Sequence, residues 1–230
     1  LAIRHHTRHV TGLAPEHGGV GAPSPTTSDG CFIAVRTTAA AIGRDLAGLT
    51  VAIQGLGAVG YDLAVQLAAA GARLIVADLN AAAVMRAVDT LGATAVSPDE
   101  ILNIEADILS PNALGGILNG ATIPALRVAA IAGGANNQLA TAQDGEALRK
   151  RDILYAPDYV VNAGGVIKMC EEYYGWSAAK VRERVEGIAN RLGEIFAESG
   201  RTAIPTNVVA DQMAEQRFKV SERHALESVE

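Results

Sequence analysis

Short apolar runs alternate along the chain with stretches that have the 3.6-residue period of a helix. The run at residues 49–54 is apolar and rich in β-branched residues, which is typical of a strand buried on both faces. The same pattern predicts strands at residues 73–78, 94–96, 107–109, 128–132 and 153–155, with helices at residues 58–70, 81–91 and 141–151. Strands that alternate with helices pair in parallel, because each crossover must return across the sheet. We therefore predict an α/β fold with a doubly wound, mostly parallel Rossmann sheet.

The start of the chain lacks this alternation. Residues 1–26 show no sustained periodicity and end in Gly-Ala-Pro-Ser-Pro, which predicts a connector. A helix capped by Thr26, Thr27 or Ser28 is expected to follow and to weaken at Gly43. The connector therefore leads directly into the first helix of the sheet domain.

The strand signal ends after Asn162, and the remaining chain has helical periodicity. The pattern predicts helices at residues 164–174, 177–199 and 205–226, the second with an apolar stripe formed by Val181, Val185, Ile188, Leu192 and Ile195. We divide the chain into a connector, a Rossmann domain and an extra C-terminal helix, at residues 1–26, 27–200 and 201–230.

Composition excludes several classes of function. The 230 residues are 49% hydrophobic and 19% charged, which indicates a soluble globular protein with a substantial core. A net charge of −6 argues against binding to nucleic acid or an anionic membrane. Cys31 and Cys170 lack the spacing of a metal site, and no apolar run or signal peptide is visible. We expect a cytoplasmic protein with reduced thiols and no metal site.

A glycine-rich turn provides the first candidate chemistry. Its residues, which directly follow the first strand and open a helix, are Gly55, Leu56, Gly57, Ala58, Val59 and Gly60. In dinucleotide-binding folds the first glycine permits the turn, the second lets a pyrophosphate approach, and the third lets helix and strand pack closely. The alternative is a tight strand-to-helix turn that binds no ligand.

An acidic residue ends the second strand about twenty residues later, where this fold holds the adenosine ribose. We assign Asp78 to that ribose and include the adjacent Leu79 in the predicted cofactor site. A 2′-phosphate would meet the like charge of Asp78, and Arg73 lies at the far end of the strand, so NAD is favoured over NADP. The alternative is that Asp78 only caps the next helix, although Asn80 is at least as well placed for that role.

Two further loops follow strands at the same edge of the sheet. One carries Asn112 and Ala113, and the other carries Ala135 and Asn136. Ligands bind at the carboxyl edge of open α/β sheets, where small residues leave room for the nicotinamide ribose. The alternative is a pair of ordinary turns in which Gly and Asn supply positive φ angles.

Several strings of residues resemble a known family. Residues 155–165 read Tyr-Ala-Pro-Asp-Tyr-Val-Val-Asn-Ala-Gly-Gly, and residues 133–139 read Gly-Gly-Ala-Asn-Asn-Gln-Leu. With the turn at residues 55–60 and Pro-Glu-His-Gly-Gly at residues 15–19, they resemble the leucine, valine and phenylalanine dehydrogenases. The resemblance runs from about Thr7 to Arg217, which is nearly the whole chain.

The resemblance implies oxidative deamination of an apolar L-amino acid to its 2-oxo acid and ammonia, with NAD as hydride acceptor. It places Thr27 and Asn136 near the nicotinamide, and Asn162 on the carboxamide or the substrate carboxylate. An amide suits that position because it both donates and accepts without changing charge. Val208 or Val209 would supply an apolar wall for the substrate side chain.

The chain also departs from the family pattern. Asn112 replaces the usual Cys, and the family's catalytic lysines would lie in an N-terminal substrate domain that we expect to precede Leu1. No residue of this chain is therefore assigned a catalytic role, and the C-terminal helix is expected to return toward that domain. The resemblance implies a homo-oligomer in the intact enzyme. The alternative is a stand-alone NAD-binding module without catalysis.

Overall fold

The computed structural model describes residues 2–7 and 9–227, with side chains as far as residue 218. Its sheet contains β1 (Thr50–Gln54), β2 (Arg73–Ala77), β3 (Thr94–Ala95), β4 (Ile108–Pro111), β5 (Ala130–Ile131) and β6 (Leu154–Tyr155). The strands lie in the order β3-β2-β1-β4-β5-β6, and every neighbouring pair is parallel. The predicted Rossmann topology is confirmed. Strand order reverses between β1 and β4, which opens a crevice at their carboxyl ends.

Helices connect the strands and complete the domain. They are α1 (Ser24–Ala41), α2 (Ala58–Ala69), α3 (Ala81–Leu91), α4 (Gln143–Lys150), α5 (Asp158–Val161), α6 (Gly164–Tyr174), α7 (Ala178–Thr202) and α8 (Thr206–Glu227). Short 3₁₀ turns lie at Ile3–His5, Pro15–His17 and Ile123–Ala125. No helix in the described part of the chain is long and apolar enough to cross a membrane.

The core lies on both faces of the sheet, as the apolar strands require. Val51 and Ile53 of β1 point into one cluster with the helices α1, α2 and α7. Ala52, between them, points into a second cluster that includes Leu109 and Ile131. All five of these side chains are fully buried. A central strand covered on both sides fixes the positions of the loops that follow β1 and β4.

The beginning of α1 differs from the prediction. The helix begins at Ser24 and not after Thr26, because Pro25 fits the first helical turn, where its missing N–H has no partner to lose. The connector is therefore three residues shorter than expected. Gly30 lets α1 lie close to the neighbouring helices, since a Cβ there would come within 3.0 Å of Ile188 Cδ1. The start of α1 is thereby held beside the segment that contains Asn162.

The C-terminal helices pack onto this framework. The predicted apolar stripe of α7 is buried, and the helix contacts α1 along that face. Ala203 ends α7 with a φ of 57°, which turns the chain into α8. Ile195 of α7 then packs against Val209 and Ala210 in the first turns of α8. The start of α8 consequently has a fixed place beside the sheet.

Candidate functional site

The three glycines of the turn between β1 and α2 meet different surroundings. Gly55 has a φ of 94°, and a Cβ there would lie 2.9 Å from the Ala113 nitrogen. A Cβ on Gly60 would lie 2.0 Å from the Gly55 carbonyl oxygen, which no backbone can accommodate without moving. A Cβ on Gly57 would meet nothing within 4 Å. Gly55 and Gly60 are therefore required by the protein's own packing, whereas Gly57 faces open space.

The first turn of α2 faces that open space. Gly57 is its N-cap and provides no side-chain acceptor, in contrast to Asn80 and Ser177, which cap α3 and α7 with their side chains. Gly57 and Ala58 are exposed, Val59 is half-buried, and the Leu56 side chain is buried. N–H groups at an accessible helix start attract an anion such as a phosphate.

Asp78 lies directly beside this turn. The Leu56 N–H donates to Asp78 Oδ2 at 2.5 Å, and the Asn80 N–H donates to Asp78 Oδ1 at 2.7 Å. Asn80 caps α3 by accepting from the N–H groups of Ala82 and Ala83, so Asp78 is not the cap. Each carboxylate oxygen of Asp78 accepts one of these two backbone hydrogen bonds and has a further lone pair for a ribose hydroxyl.

Leu79 and Arg73 complete the adenosine side of the crevice. Leu79 is 89% exposed next to Asp78, so its side chain is accessible to a ligand at this position. Arg73 begins β2 at the opposite end of the strand, where its guanidinium donates to Thr50 Oγ1 at 3.1 Å. It therefore cannot neutralise a phosphate beside Asp78.

The loop after β4 holds a structural amide. Asn112 Nδ2 donates to the Ser110 carbonyl and to Ser110 Oγ, both at 3.0 Å, while its Oδ1 accepts the Gly134 N–H at 2.9 Å. The Asn112 side chain thus joins the loops after β4 and β5, and its contact with the cofactor stays a prediction. Ala113 is exposed on the crevice side of the same loop, next to Gly55.

The amides of Asn136 and Asn162 contact each other in the segments that follow β5 and β6. Asn162 Nδ2 donates to Asn136 Oδ1 at 2.6 Å and to the Gly134 carbonyl at 3.2 Å. Thr27 lies beside the start of α6, since a Cβ on Gly165, three residues after Asn162, would come within 2.6 Å of Thr27 Oγ1. The structure therefore joins Asn136 to Asn162 and places Thr27 near the segment that follows Asn162. Ala135, which precedes Asn136, is 5% exposed and offers mainly its backbone.

The two valines assigned to the substrate wall have different surroundings. Val209 is 1% exposed and packs into the cluster between α7 and α8, so its side chain has no surface to offer a substrate. Val209 is therefore a core position in this structure, and of the two predicted residues Val208 is the accessible one. Val208 is half-buried in the first turn of α8 and keeps an accessible face. Tyr159 holds the first two turns of α8 in place by donating to Asp211 Oδ1 at 2.6 Å.

Comparison with known proteins identifies the family. Residues 78–221 match the family model described as Glutamate/Leucine/Phenylalanine/Valine dehydrogenase. The chain belongs to this dehydrogenase family. Residues 26–119 also match the model described as the NAD binding domain of D-isomer specific 2-hydroxyacid dehydrogenase. Both matches confirm the resemblance inferred from the residues, and the second covers the glycine-rich turn and Asp78.

Individual relatives agree with this dehydrogenase assignment. The leucine dehydrogenase of Geobacillus stearothermophilus is 45% identical over 219 residues, covering 94% of this chain and 60% of that protein. The phenylalanine dehydrogenase of Lysinibacillus sphaericus is 40% identical over 220 residues, covering 93% and 58%. The crystal structure of L-tryptophan dehydrogenase from Nostoc punctiforme matches with a TM-score of 0.84 and 40% identity, covering 87% and 61%. The chain thus spans about 60% of the length of these relatives.

Sequence reasoning missed a buried polar pair beneath this dehydrogenase crevice. The Gln138 N–H donates to Asp158 Oδ2 at 2.7 Å, and both residues are buried. Both lie within the strings that carry the family resemblance. The available signal was Asp158 itself, an acid that follows Pro157 amid apolar residues. Its partner could not be identified, because the two residues are twenty positions apart.

Cys31 lies under the same loops of the dehydrogenase domain. A Cβ on Gly134 would come within 2.9 Å of Cys31 Sγ, so the sulfur closes the floor of the loop after β5. Burial raises the pKa of the Cys31 thiol to about 12. At pH 8 only about one thiol in 10⁴ would then be the reactive thiolate. The position is that of a packing residue.

We predict that Cys31 of the folded protein resists alkylation. In a Cys170→Ser variant, iodoacetamide at pH 8 should leave Cys31 unmodified in the native state and modify it fully in denaturant, because thiolate formation is suppressed by burial. Mass spectrometry of the alkylated protein measures the result. Modification of native Cys31 within minutes would contradict the buried position.

Proposed function

We propose that this chain is the NAD-binding part of an amino acid dehydrogenase that oxidatively deaminates an apolar L-amino acid. The observation that carries the proposal is the hydrogen bond from the Leu56 N–H to Asp78, which joins the glycine-rich turn to an acid at the end of β2. This arrangement places an anion-attracting helix start and a ribose acceptor next to each other. The names of the relatives supply the reaction class.

The surroundings of the glycines fit a dinucleotide. The open side of Gly57, where no atom lies within 4 Å of a Cβ, has room for a diphosphate against the first N–H groups of α2. The carboxylate of Asp78 would accept hydrogen bonds from the ribose diol. Since that charge repels a 2′-phosphate and Arg73 bonds Thr50 at the far end of β2, we propose NAD and not NADP.

The amides at the other end of the crevice suit the reacting half of the cofactor. NAD supplies an acceptor for the α-hydride of the substrate. Asn162, held beside Asn136, can donate to a carboxylate or bond a carboxamide without a change of charge. Thr27 lies beside Gly165, three residues after Asn162, and the accessible Val208 is available to an apolar side chain. The side chains assigned here orient the reactants and transfer no proton.

The reaction also requires a base, which we assign to a part of the complete protein outside this chain. Lys168 pairs with Glu171 at 2.6 Å on α6, so its amine is occupied in an ion pair. The chain matches only about 60% of the length of the leucine dehydrogenase, and the rest of that protein is long enough to form a further domain. We also propose that the complete protein is a homo-oligomer, as the resemblance implies.

An activity assay distinguishes this proposal from a stand-alone NAD-binding module. The complete gene product should reduce NAD when supplied with L-leucine, L-valine or L-phenylalanine, and the three rates would identify the preferred substrate. Reduction is followed by absorbance of the nicotinamide. Tight NAD binding without reduction by any apolar amino acid would favour the module.

A further inference from the structure

A buried acid lies beneath the loop that carries Asn136. Asp158, the first residue of α5, is 7% exposed, and its Oδ2 accepts the Gln138 N–H at 2.7 Å. The Tyr155 hydroxyl lies 3.3 Å from the same oxygen. No ion pair joins Asp158 to a basic side chain in the described part of the chain. Burying such a group without a cation is costly, and the hydrogen bonds from Gln138 and Tyr155 offset that cost.

The side chain of Gln138 closes the same loop from inside. It is fully buried, and its Nε2 donates to the carbonyls of Gly133 at 2.7 Å and Ala135 at 3.0 Å. Asn137, which precedes Gln138, has a φ of 54°, a left-handed conformation that asparagine adopts more readily than most residues with a side chain. The loop therefore depends on bonds to Gln138 for its shape.

Asp158 also bonds the second amide of the crevice. Its carbonyl accepts the Asn162 N–H at 2.8 Å, one helical turn further along α5. Asp158 thus holds Asn162 through its backbone carbonyl. Through its side chain it holds Gln138, which lies two positions after Asn136. The 2.6 Å contact between the Asn136 and Asn162 amides requires both to stay in place.

We propose that Asp158 is a positioning residue that sets the geometry of the nicotinamide half of the site. It acts through the Gly133–Gln138 loop and Asn162, and it is not itself a catalytic residue. The inference rests on the proposed function, because that function places the nicotinamide beside Asn136 and Asn162. The adenosine half, at Gly57 and Asp78, lies at the ends of other strands and should be indifferent to Asp158.

The test compares NAD with ADP, which carries the adenosine and diphosphate groups but no nicotinamide. Calorimetric titration of the 230-residue chain should show that Asp158→Ala weakens NAD binding about fivefold to tenfold, through loss of the bond that holds Gln138. The ADP dissociation constant should be unchanged. Asp158→Asn keeps an acceptor oxygen and should restore NAD binding to nearly the wild-type value.

Hydrogen exchange gives a second readout that does not depend on affinity. NAD should protect the peptide containing residues 133–138 in the wild-type chain, whereas ADP should not. In Asp158→Ala this peptide should exchange faster without ligand and gain little protection from NAD. Asp144→Ala is the matched control, because Asp144 is also buried and holds the Thr141 N–H, at the start of α4. It should lower stability and leave the ratio of NAD to ADP affinity unchanged.

The two proposals fail in distinguishable ways. Equal losses of NAD and ADP affinity in Asp158→Ala, or normal binding of both with unchanged exchange at residues 133–138, would overturn the positioning role and leave NAD binding by the wild type intact. A wild-type chain that binds neither NAD nor ADP would instead contradict the proposed function, and the positioning role with it.

Discussion

Replacing Gly60 with alanine should destabilise the folded chain by at least about 3 kcal/mol, among the larger costs of a single substitution. The reason is a collision inside the protein itself. The added Cβ would lie 2.0 Å from the Gly55 carbonyl oxygen and 3.1 Å from Asn112 Cβ, and a backbone carbonyl cannot rotate away as a side chain can. The turn would have to open, and β1 and α2 would separate. Urea unfolding followed by the fluorescence of the single tryptophan, Trp176, measures the loss.

Gly57→Ala is the control for this result. A Cβ at Gly57 meets no atom within 4 Å and its φ of −68° suits any residue, so the loss should stay near 1 kcal/mol, the usual effect at an N-cap. The same methyl group would occupy the side on which we place the diphosphate, so NAD affinity should fall although the fold persists. Equal stabilities of the Gly60→Ala and wild-type proteins would show that the turn is not packed as described.

Replacing Asn162 with alanine should lower kcat of the complete dehydrogenase about tenfold to a hundredfold, since a hydrogen bond to a charged group contributes about 1.5–3 kcal/mol. NAD affinity should change less, because the adenosine half of the site does not involve Asn162. The substitution also leaves the Asn136 amide without its 2.6 Å partner. Steady-state rates with saturating amino acid, together with NAD titration, separate the two effects.

Asn103→Ala is a suitable comparison, since Asn103 is exposed between β3 and β4, away from the crevice. It should leave both kcat and NAD affinity unchanged. If Asn162→Ala weakened NAD binding strongly and left kcat near normal, Asn162 would bond the cofactor alone and the substrate carboxylate would need another partner.

Most of the fold could be predicted because its signals are local. The buried positions of β1 and α7 follow from the apolar residues within each segment, as a continuous run in β1 and a helical period in α7. Helix α5 was missed, because four residues are too few to show a period. The start of α1 was placed too late, because the capping residues after Pro25 outweighed the preference of proline for the first turn.

The candidate site could be predicted from the sequence where local contacts allow only one type of residue. Gly55 and Gly60 meet the close contacts that their spacing indicated. Asn112 and Val209 show what the sequence leaves open, since an amide or a valine fits a ligand site and an internal contact equally well. Only the position of the partner decides between these roles. Such partners come from distant parts of the chain, and the sequence alone does not pair them.

One dinucleotide should span the glycine-rich turn and Asp78, and calorimetric titration of the chain with NAD measures whether it does. The wild type should bind NAD more tightly than NADP. Asp78→Ala should raise the dissociation constant for NAD about tenfold to a hundredfold, which is the loss expected for hydrogen bonds from a ribose diol to a carboxylate. The same substitution should reduce the difference between the affinities for NAD and NADP. Unchanged NAD affinity in Asp78→Ala, or a wild type that prefers NADP, would show that Asp78 does not bind the ribose of NAD.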